Sequence, residues 1–197
     1  MNSLHMSNTY KKIIFIHCFR HLNRENLVLA ELLSAIQGDI DVLISWEKTE
    51  FATLEKIYLW SLQNNGAVCS CHLKGIVNGF DNQCIIDWRQ YMSYFILTKA
   101  QDCINEIQKG YDVCGVDYVN YPAPHFSGNF WWASAQYIRG LPYPSSNLVI
   151  SGCPSKRHVA EFWITMQNHR VKCFRNINIH VYERHLHRYE KDKYYCK

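Results

Sequence analysis

Short apolar runs alternate with segments of helical periodicity in the first part of the chain. The run from Lys12 to His17 has the length of a buried strand, and the segment from Asn23 to Ile36 repeats apolar residues at helical spacing until Gly38. A second strand, a second helix and a third strand then follow at Ile40 to Trp46, Leu54 to Leu62 and Ala67 to His72. Because this alternation is typical of a parallel sheet covered by helices, we predict an α/β fold of Rossmann-like type with one central, mostly parallel sheet.

Length and composition favour one folded unit. The chain has 197 residues and is 48% hydrophobic, which suffices for one domain with a proper core, so we predict a single domain over residues 1–197. The segment 184–197 mixes charged residues, histidine and tyrosine and is predicted to be a charged, solvated helix or tail. The formal charge of +4 is too small to indicate a nucleic-acid partner.

The cysteines and the apolar runs bear on the compartment. The nine cysteines are scattered, without a C-x-x-C pair, so we expect free thiols and a soluble protein of the reducing cytoplasm. Cys69 and Cys71 alternate along a strand while His72 faces the other way, which argues against a zinc site. The N-terminal apolar run Ile13 to Ile16 has only strand length, and no segment approaches the ~20 apolar residues of a membrane span.

The second half of the chain contains further helices and one clear strand. A helix is predicted to open at Asp87 and run past Leu97, a second lies around Cys103 to Ile107, and Tyr111 to Val116 returns to a strand. A proline-containing loop from 142 to 154 leads to a last helix over His158 to Gln167.

Polar side chains follow the first and third predicted strands. Parallel sheets place ligand crevices at the carboxyl ends of their strands, where His17 and Phe19 and the run His72-Leu-Lys74-Gly75 fall. Lys74 is a mobile cation and the N–H of Gly75 can approach an oxyanion, so this run suits a phosphate. An ordinary turn at a strand end explains the same residues, and both interpretations stay open.

The tripeptide Asp87-Trp-Arg89 has two interpretations as well. As a helix start, Asp87 interacts favourably with the positive end of the helix dipole. As part of a site, Arg89 would grip a diphosphate bidentately and Asp87 would bind a sugar hydroxyl or a metal ion.

An aromatic block at His125 to Trp132 combines small polar residues with adjacent tryptophans. Strand periodicity sends Trp131 and Trp132 to opposite faces, so one can pack inward while the other lines a cleft. The residues His125, Ser127 and Asn129 offer hydrogen bonds, and Gly128 permits close backbone approach of a ligand. A buried aromatic strand is the alternative.

Taken together, these segments resemble a family of small GT-A-type glycosyltransferases found in bacteria and large DNA viruses. The resemblance runs from about Ile13 to Trp163 and rests on five segments: His72–Gly75, Asp87–Met92, Tyr111–Gly115, Pro124–Ala133 and Ala160–Trp163. It implies a nucleotide-sugar donor, a single GT-A-like domain and transfer of a hexosyl or deoxyhexosyl group to a hydroxyl of a glycan acceptor.

Many GT-A enzymes hold Mn²⁺ or Mg²⁺ through an Asp-x-Asp motif. The only literal match, Asp39-Ile-Asp41, lies at the beginning of a strand, which is the wrong end for the crevice. His72-Leu-Lys74 occupies the strand end where a metal motif is expected, so Lys74 and Arg89 could supply part of the cation's role. Dependence on Mn²⁺ or Mg²⁺ is left open, and no metal ligand is assigned.

The implied mechanism needs a carboxylate that deprotonates the acceptor hydroxyl if transfer inverts the anomeric centre. Glu161 is the first candidate and Asp117 the second, while His125 joins them as a titratable group in the aromatic block. Glu161 could equally be an acid at the start of a helix. A non-catalytic carbohydrate- or nucleotide-binding module is the alternative function, and nucleotidyl transfer is disfavoured because the chain lacks a Gly-rich phosphate loop.

Overall fold

The computed structural model describes residues 7–145, 147–149, 153 and 158–195. Within this part of the chain, the strands are β1 (Ser7–Cys18), β2 (Asp41–Trp46), β3 (Asn64–His72), β4 (Val113–Gly115), β5 (Tyr118–Val119), β6 (His125–Phe126), β7 (Trp131–Ser134) and β8 (Val171–Cys173). The α-helices are α1 (Arg24–Ala35), α2 (Glu50–Gln63), α3 (Gln83–Ser93), α4 (Ala100–Gln108), α5 (Ala135–Gly140) and α6 (Val159–Phe162), and a π-helical turn (Tyr94–Thr98) joins α3 to α4.

The larger sheet is mostly parallel, as predicted. Its six strands follow the order β2-β1-β3-β7-β4-β8, and β5 pairs with β6 in a separate ribbon. Strands β1, β2 and β3 are parallel, β7 runs antiparallel to both of its neighbours, and β8 is parallel to β4. With helices on both faces, this confirms the predicted α/β, Rossmann-like class.

Helices α1 and α2 cover opposite faces of β1. Ile14 and Ile16 pack in the same cluster as the buried residues of α1, whereas Ile13 and Phe15 pack in the cluster that contains the buried residues of α2. Because both faces of the strand are covered, it is an uninterrupted apolar run rather than an alternating one. In the sheet, β2 lies on one side of β1 and β3 lies on the other. The connections that follow β1 and β2 therefore leave in opposite directions, and the position between β1 and β3 is a topological switch point.

Several boundaries differ from the predicted ones. Helix α3 begins at Gln83 rather than at Asp87, because the Asn82 side chain accepts a hydrogen bond from the Cys84 N–H (2.9 Å) and caps the helix earlier. The last predicted helix is a short α-helical turn followed by a 3₁₀ turn at Trp163–Thr165. Strand β8 was not predicted, since Val171–Cys173 is too short to produce a periodic signal.

Most described residues of the C-terminal segment are exposed, as its charge suggested, but the segment is anchored to the core and is not a free tail. It forms two 3₁₀ turns, at Val181–Leu186 and Lys191–Lys193, and it returns to the core through Arg184, Tyr189 and Tyr194, which are all buried. Aromatic contacts and ion pairs both fix this segment. Tyr189 and Tyr194 pack against Tyr91 of α3 with ring centroids 5.0 and 5.2 Å away, and Arg184 and Arg188 pair with Asp117 and Asp87. Within the described residues, none of the helices combines the length and hydrophobicity needed to cross a bilayer.

Candidate functional site

A group of polar side chains lies at the carboxyl ends of β1 and β3. His17 and His72 are register partners in the last paired positions of these two strands. They meet Glu50 and Thr53 from the first turns of α2, and Lys74 follows just beyond β3. We name these five residues the switch-point cluster, because the sheet changes its winding direction between β1 and β3.

His17 is buried and held in one tautomer. Its Nδ1 lies 2.9 Å from the Thr53 hydroxyl, which itself donates to Ser45 Oγ (3.1 Å). Since Thr53 has used its only hydrogen, it must accept the one on His17 Nδ1, and the Nε2 of His17 is left as an acceptor. Burial lowers the pKa of His17 to about 4, and the nearby His72 adds to the lowering against the opposing effect of Glu50. His17 is therefore neutral near pH 7.

Glu50 and His72 form a carboxylate–imidazole pair. Glu50 Oε1 lies 2.5 Å from His72 Nδ1, and both side chains keep partial exposure, 26% for Glu50 and 17% for His72. Burial acts to raise the pKa of Glu50, but the charge and hydrogen bond of His72, with His17 and Lys74, lower that pKa to about 2. The ionised carboxylate can only accept, so Nδ1 carries the hydrogen and the Nε2 of His72 is directed away from Glu50.

Lys74 and Gly75 lie beside this pair. The ammonium of Lys74 is 3.9 Å from the centre of the Trp88 ring, which holds its stem over an aromatic face. Gly75 has a φ of +89°, and a Cβ at this position would lie 2.5 Å from Cγ2 of Ile85. The glycine is thus required by the turn and by packing on α3, which accounts for its presence without a ligand.

Arg89 and Asp87 do not face the crevice as ligands of a diphosphate or a sugar. The Nε and Nη2 of Arg89 donate to the two carboxylate oxygens of Glu31 (3.1 and 2.6 Å), and Nη1 donates to the Lys74 carbonyl (2.8 Å). Asp87 accepts from Gln83 Nε2 (2.7 Å) and pairs with Arg188. Both predicted ligands are buried in internal ion pairs, so their charges are already neutralised.

The expectation that one tryptophan of the aromatic block lines a cleft is wrong. Trp131 and Trp132 do face opposite sides of the sheet, but both are fully buried. The indole N–H of Trp131 donates to Asn129 Oδ1 (2.9 Å), and that of Trp132 donates to the Ile96 carbonyl (2.7 Å). Strand β7 has a sheet neighbour on each side and a helix layer on each face, so the buried-strand alternative is the one observed.

The polar residues of the aromatic block are also buried. Asn129 adopts a left-handed conformation (φ 58°), and its side-chain oxygen accepts the hydrogen bond of the Trp131 indole. The Ser127 N–H donates to the Asp117 carbonyl (3.0 Å). A Cβ on Gly128 would lie 2.5 Å from Sδ of Met92. This glycine therefore allows the turn to pack closely on α3, and it does not serve the approach of a ligand. His125 donates from Nδ1 to the Ala123 carbonyl (2.8 Å), and burial lowers its pKa.

The two carboxylates predicted to act as bases differ in accessibility. Asp117 is fully buried, pairs with the buried Arg184, and accepts the Ile177 N–H at Oδ1 (2.9 Å), so an acceptor hydroxyl cannot reach it. Burial raises the pKa of Asp117, against the lowering effect of Arg184. Glu161, on α6, remains partly exposed. Of the two candidates, Glu161 therefore stays a prediction.

The switch-point cluster does not fit Mn²⁺ or Mg²⁺ as a cofactor site. These cations prefer several oxygen ligands, whereas the cluster offers one carboxylate, already bound to an imidazole, beside a lysine. Among the described residues, no group of three or more His, Cys, Asp or Glu side chains is placed to hold a metal ion. Asp39 and Asp41 lie at the amino end of β2, away from this edge, as the sequence indicated.

Three residues that matter at this edge were not singled out in the sequence. Glu50 and Thr53 carry the hydrogen bonds of the cluster, and Trp46 at the end of β2 is 43% exposed beneath Arg20, whose guanidinium lies 5.4 Å from the ring centre. A signal existed, since residues just after a parallel strand lie at the crevice.

Two surface cavities lie outside the switch-point cluster. One, of about 390 Å³, is at the amino end of β4, between Tyr111, Ser134 and Tyr137. The other, of about 360 Å³, lies beside the π-helical turn, between Phe95, Phe174 and Tyr194. Neither of these two cavities contains a residue of the cluster.

Comparison with known proteins gives a family without an assigned activity. No curated protein matches the chain significantly. The crystal structure of A197 from STIV is similar at 11% sequence identity, with a TM-score of 0.47, covering 84% of this chain and 82% of that chain. Residues 11–174 match the family described as "Domain of unknown function (DUF8361)", and the chain therefore belongs to that family.

Proposed function

We propose that the chain is a nucleotide-sugar-dependent glycosyltransferase whose donor binds over the carboxyl ends of β1 and β3. The observation that carries the proposal is the register pairing of His17 with His72 at the β1/β3 switch point, together with Glu50 and Lys74. Sheets of this winding bind nucleotides or other phosphorylated ligands at the switch point, because the loops on either side separate there.

The chemistry of the switch-point cluster supports a phosphorylated ligand. Lys74 is a nitrogen donor at a partly exposed edge, and Nε2 of His72 becomes a second donor there when the imidazole is protonated. The first turn of α2 begins at the same edge, with its free backbone N–H groups. Lys74 is positioned by the ring of Trp88, and its carbonyl is fixed by Arg89. These groups suit a diphosphate better than an uncharged ligand.

The sugar and the acceptor require other residues than the sequence suggested. Trp131 and Trp132 cannot stack on a sugar, so in this proposal the exposed Trp46 provides the aromatic surface at the edge. Glu161 is proposed as the base that takes the proton of a glycan hydroxyl, because it is partly exposed on α6, which contacts α2 and β6. The eight described cysteines are free thiols, which supports a reducing compartment such as the cytoplasm.

A donor screen tests the proposal. Nucleotide sugars of different bases and sugars, each with and without Mn²⁺, should include at least one that raises the melting temperature through binding to the folded state. With that donor and a glycan acceptor, release of nucleoside diphosphate measures turnover. Glu161→Gln should lower turnover about 100-fold or more and leave the donor-induced thermal shift unchanged. Asp192→Asn, at another exposed carboxylate, is the matched control and should retain full turnover.

The outcomes separate the two candidate functions. Donor binding with turnover that depends on Glu161 supports transfer. Binding without turnover of any donor and acceptor would indicate the non-catalytic nucleotide- or carbohydrate-binding module instead. Absence of both would refute a nucleotide-sugar site at this edge.

A further inference from the structure

We propose that Glu50, His72 and Lys74 form a diphosphate site in which protonated His72 supplies the charge and the acid that a divalent cation supplies in metal-dependent transferases. The inference rests on the proposed function for the identity of the leaving group, but the anion site itself stands on the geometry. His72 is the partly exposed member of a carboxylate–imidazole pair, and Lys74 follows it by two residues at the same strand end.

The charge of the site depends on one proton. Glu50 contributes −1 throughout the neutral range, because its pKa lies at about 2, and Lys74 contributes +1. Protonation of His72 therefore makes the charge of these three residues more positive by one, and its deprotonation removes that charge. A diphosphate is attracted in the first state, while in the second it meets a neutral imidazole beside an ionised carboxylate.

Glu50 also fixes the direction of the second His72 nitrogen. With Nδ1 bound to Glu50 at 2.5 Å and the ring edge-to-face with Phe130 at 5.3 Å between centroids, the imidazole is held from two sides. A carboxylate at Nδ1 fixes the orientation of the ring, so that its second nitrogen, Nε2, is available to a ligand. Glu50 is thus a positioning residue, and His72 is the group that contacts the anion.

The other groups around His72 do not compete for the proton. His17 faces it from β1, but its pKa of about 4 keeps it neutral, and its Nδ1–H is bound to Thr53 of α2. Glu47, from the end of β2, is paired with Lys56 at 2.5 Å. Of the two imidazoles at the switch point, His17 is therefore an acceptor and His72 a donor.

Transfer of the sugar breaks one bond of the anomeric carbon and forms another. The bond between the anomeric carbon and the diphosphate oxygen breaks, its electron pair stays on that oxygen, and the Nε2 proton of His72 moves to it. The oxygen of the acceptor hydroxyl forms the new bond to the anomeric carbon, and its proton moves to Glu161. His72 is then neutral and Glu161 is protonated, and exchange with water restores both.

Binding of inorganic pyrophosphate in EDTA tests the anion site. Isothermal titration calorimetry at one fixed, near-neutral pH should show pyrophosphate binding without added metal ion. His72→Gln keeps an N–H donor but cannot carry a charge, so its binding should be about tenfold weaker at that pH. His187→Gln, at an exposed histidine elsewhere, is the matched control and should follow the wild-type curve.

Glu50→Gln gives a signature that a purely structural role would not produce. The amide still accepts the Nδ1–H bond but carries no charge, so the ring keeps its orientation and the affinity for pyrophosphate should rise rather than fall. Circular dichroism melts of each variant confirm folding. The proposal is overturned if His72→Gln matches the wild type, if Glu50→Gln weakens binding, or if pyrophosphate binds only after Mn²⁺ is added. Pyrophosphate binding of the expected kind without turnover of any nucleotide sugar would keep the anion site and refute the transferase.

Discussion

Arg89 joins three segments of the chain through one planar guanidinium. It lies on α3, donates to both carboxylate oxygens of Glu31 on α1, and holds the Lys74 carbonyl at the end of β3. Its side chain is 4% exposed and that of Glu31 is 30% exposed. A bidentate, largely buried pair of this kind is costly to break, since removal of one partner leaves the other desolvated and unpaired.

Arg89→Ala should therefore reduce stability as well as any binding near Lys74. We expect the free energy of unfolding to fall by about 3 kcal/mol, because Glu31 and the Lys74 carbonyl lose their partner. Urea unfolding followed by fluorescence measures this change. Arg24→Ala is the control, since its 3.9 Å contact with Asp81 joins side chains that are 32% and 84% exposed, respectively, and should contribute less than about 1 kcal/mol. Equal effects of the two substitutions would show that the bonds of Arg89 to Glu31 and to the Lys74 carbonyl do not stabilise the fold.

At the scale of elements, the turn between β6 and β7 is shaped by its contact with α3. Gly128 has a φ of +93°, and a Cβ there would lie 2.5 Å from Sδ and 3.1 Å from Cε of Met92, and 3.2 Å from Cζ2 of Trp88. The next residue, Asn129, continues the left-handed turn with a φ of 58° and bonds the Trp131 indole. The close approach of turn and helix thus places β7 in the middle of the sheet.

Gly128→Ala should lower the free energy of unfolding by more than its left-handed conformation alone explains. The backbone term is about 1 kcal/mol, and the clash with Met92 and Trp88 should add about 1–3 kcal/mol. Gly38→Ala is a matched control, because Gly38 has a φ of +92° and an added Cβ would have none of the described heavy atoms within 4 Å. The difference between their melting temperatures isolates the packing term, and similar losses would contradict the tight contact.

At the scale of the whole molecule, buried histidines link folding to pH. Burial lowers the pKa of His17 to about 4 and also lowers that of His125, whereas an unfolded histidine titrates near 6.5. Between about pH 6.5 and 4, the unfolded chain therefore binds more protons than the folded chain. Stability is fully present above this window and falls as the pH decreases through it.

His17→Asn should make this fall shallower. The Asn amide can replace the Nδ1–H donor to Thr53 but cannot be protonated, so we expect about 2 kcal/mol less loss of unfolding free energy between pH 6.5 and 4. Urea titrations at several pH values measure the slope. His187→Asn, at an exposed histidine, should leave the slope unchanged. An unaltered slope in His17→Asn would mean that this imidazole is not neutral in the folded protein.

The fold could be predicted where the pattern is local and long. The apolar run at Ile13 to Ile16, the helical spacing before Gly38 and the strand ending at His72 predict β1, α1 and β3, although β1 begins at Ser7 and β3 at Asn64, earlier than predicted. Where elements are short or depend on packing, prediction failed. Strand β8 has only three residues, and the C-terminal segment is fixed by tyrosine contacts and by ion pairs whose partners lie far away in the sequence.

Some residues of the candidate site could likewise be predicted from the sequence, and others could not. His17, His72 and Lys74 could be predicted because residues at the carboxyl ends of parallel strands meet at one edge. Glu50 and Thr53 were missed because their role depends on how α2 sits above that edge. Arg89, Asp87 and the aromatic block were assigned to ligands because the sequence does not show that Glu31, Arg188 and the sheet interior are their partners.

The sequence by itself determined the α/β class and the placement of polar residues at strand ends, since hydrophobic periodicity and chain order are local properties. Only the tertiary structure decided which polar residues remain accessible. A buried charge must find a partner, and the partners of Arg89, Asp87 and Asp117 come from distant parts of the chain. What remains at the open edge is the pairing of His72 with Glu50, beside a neutral His17.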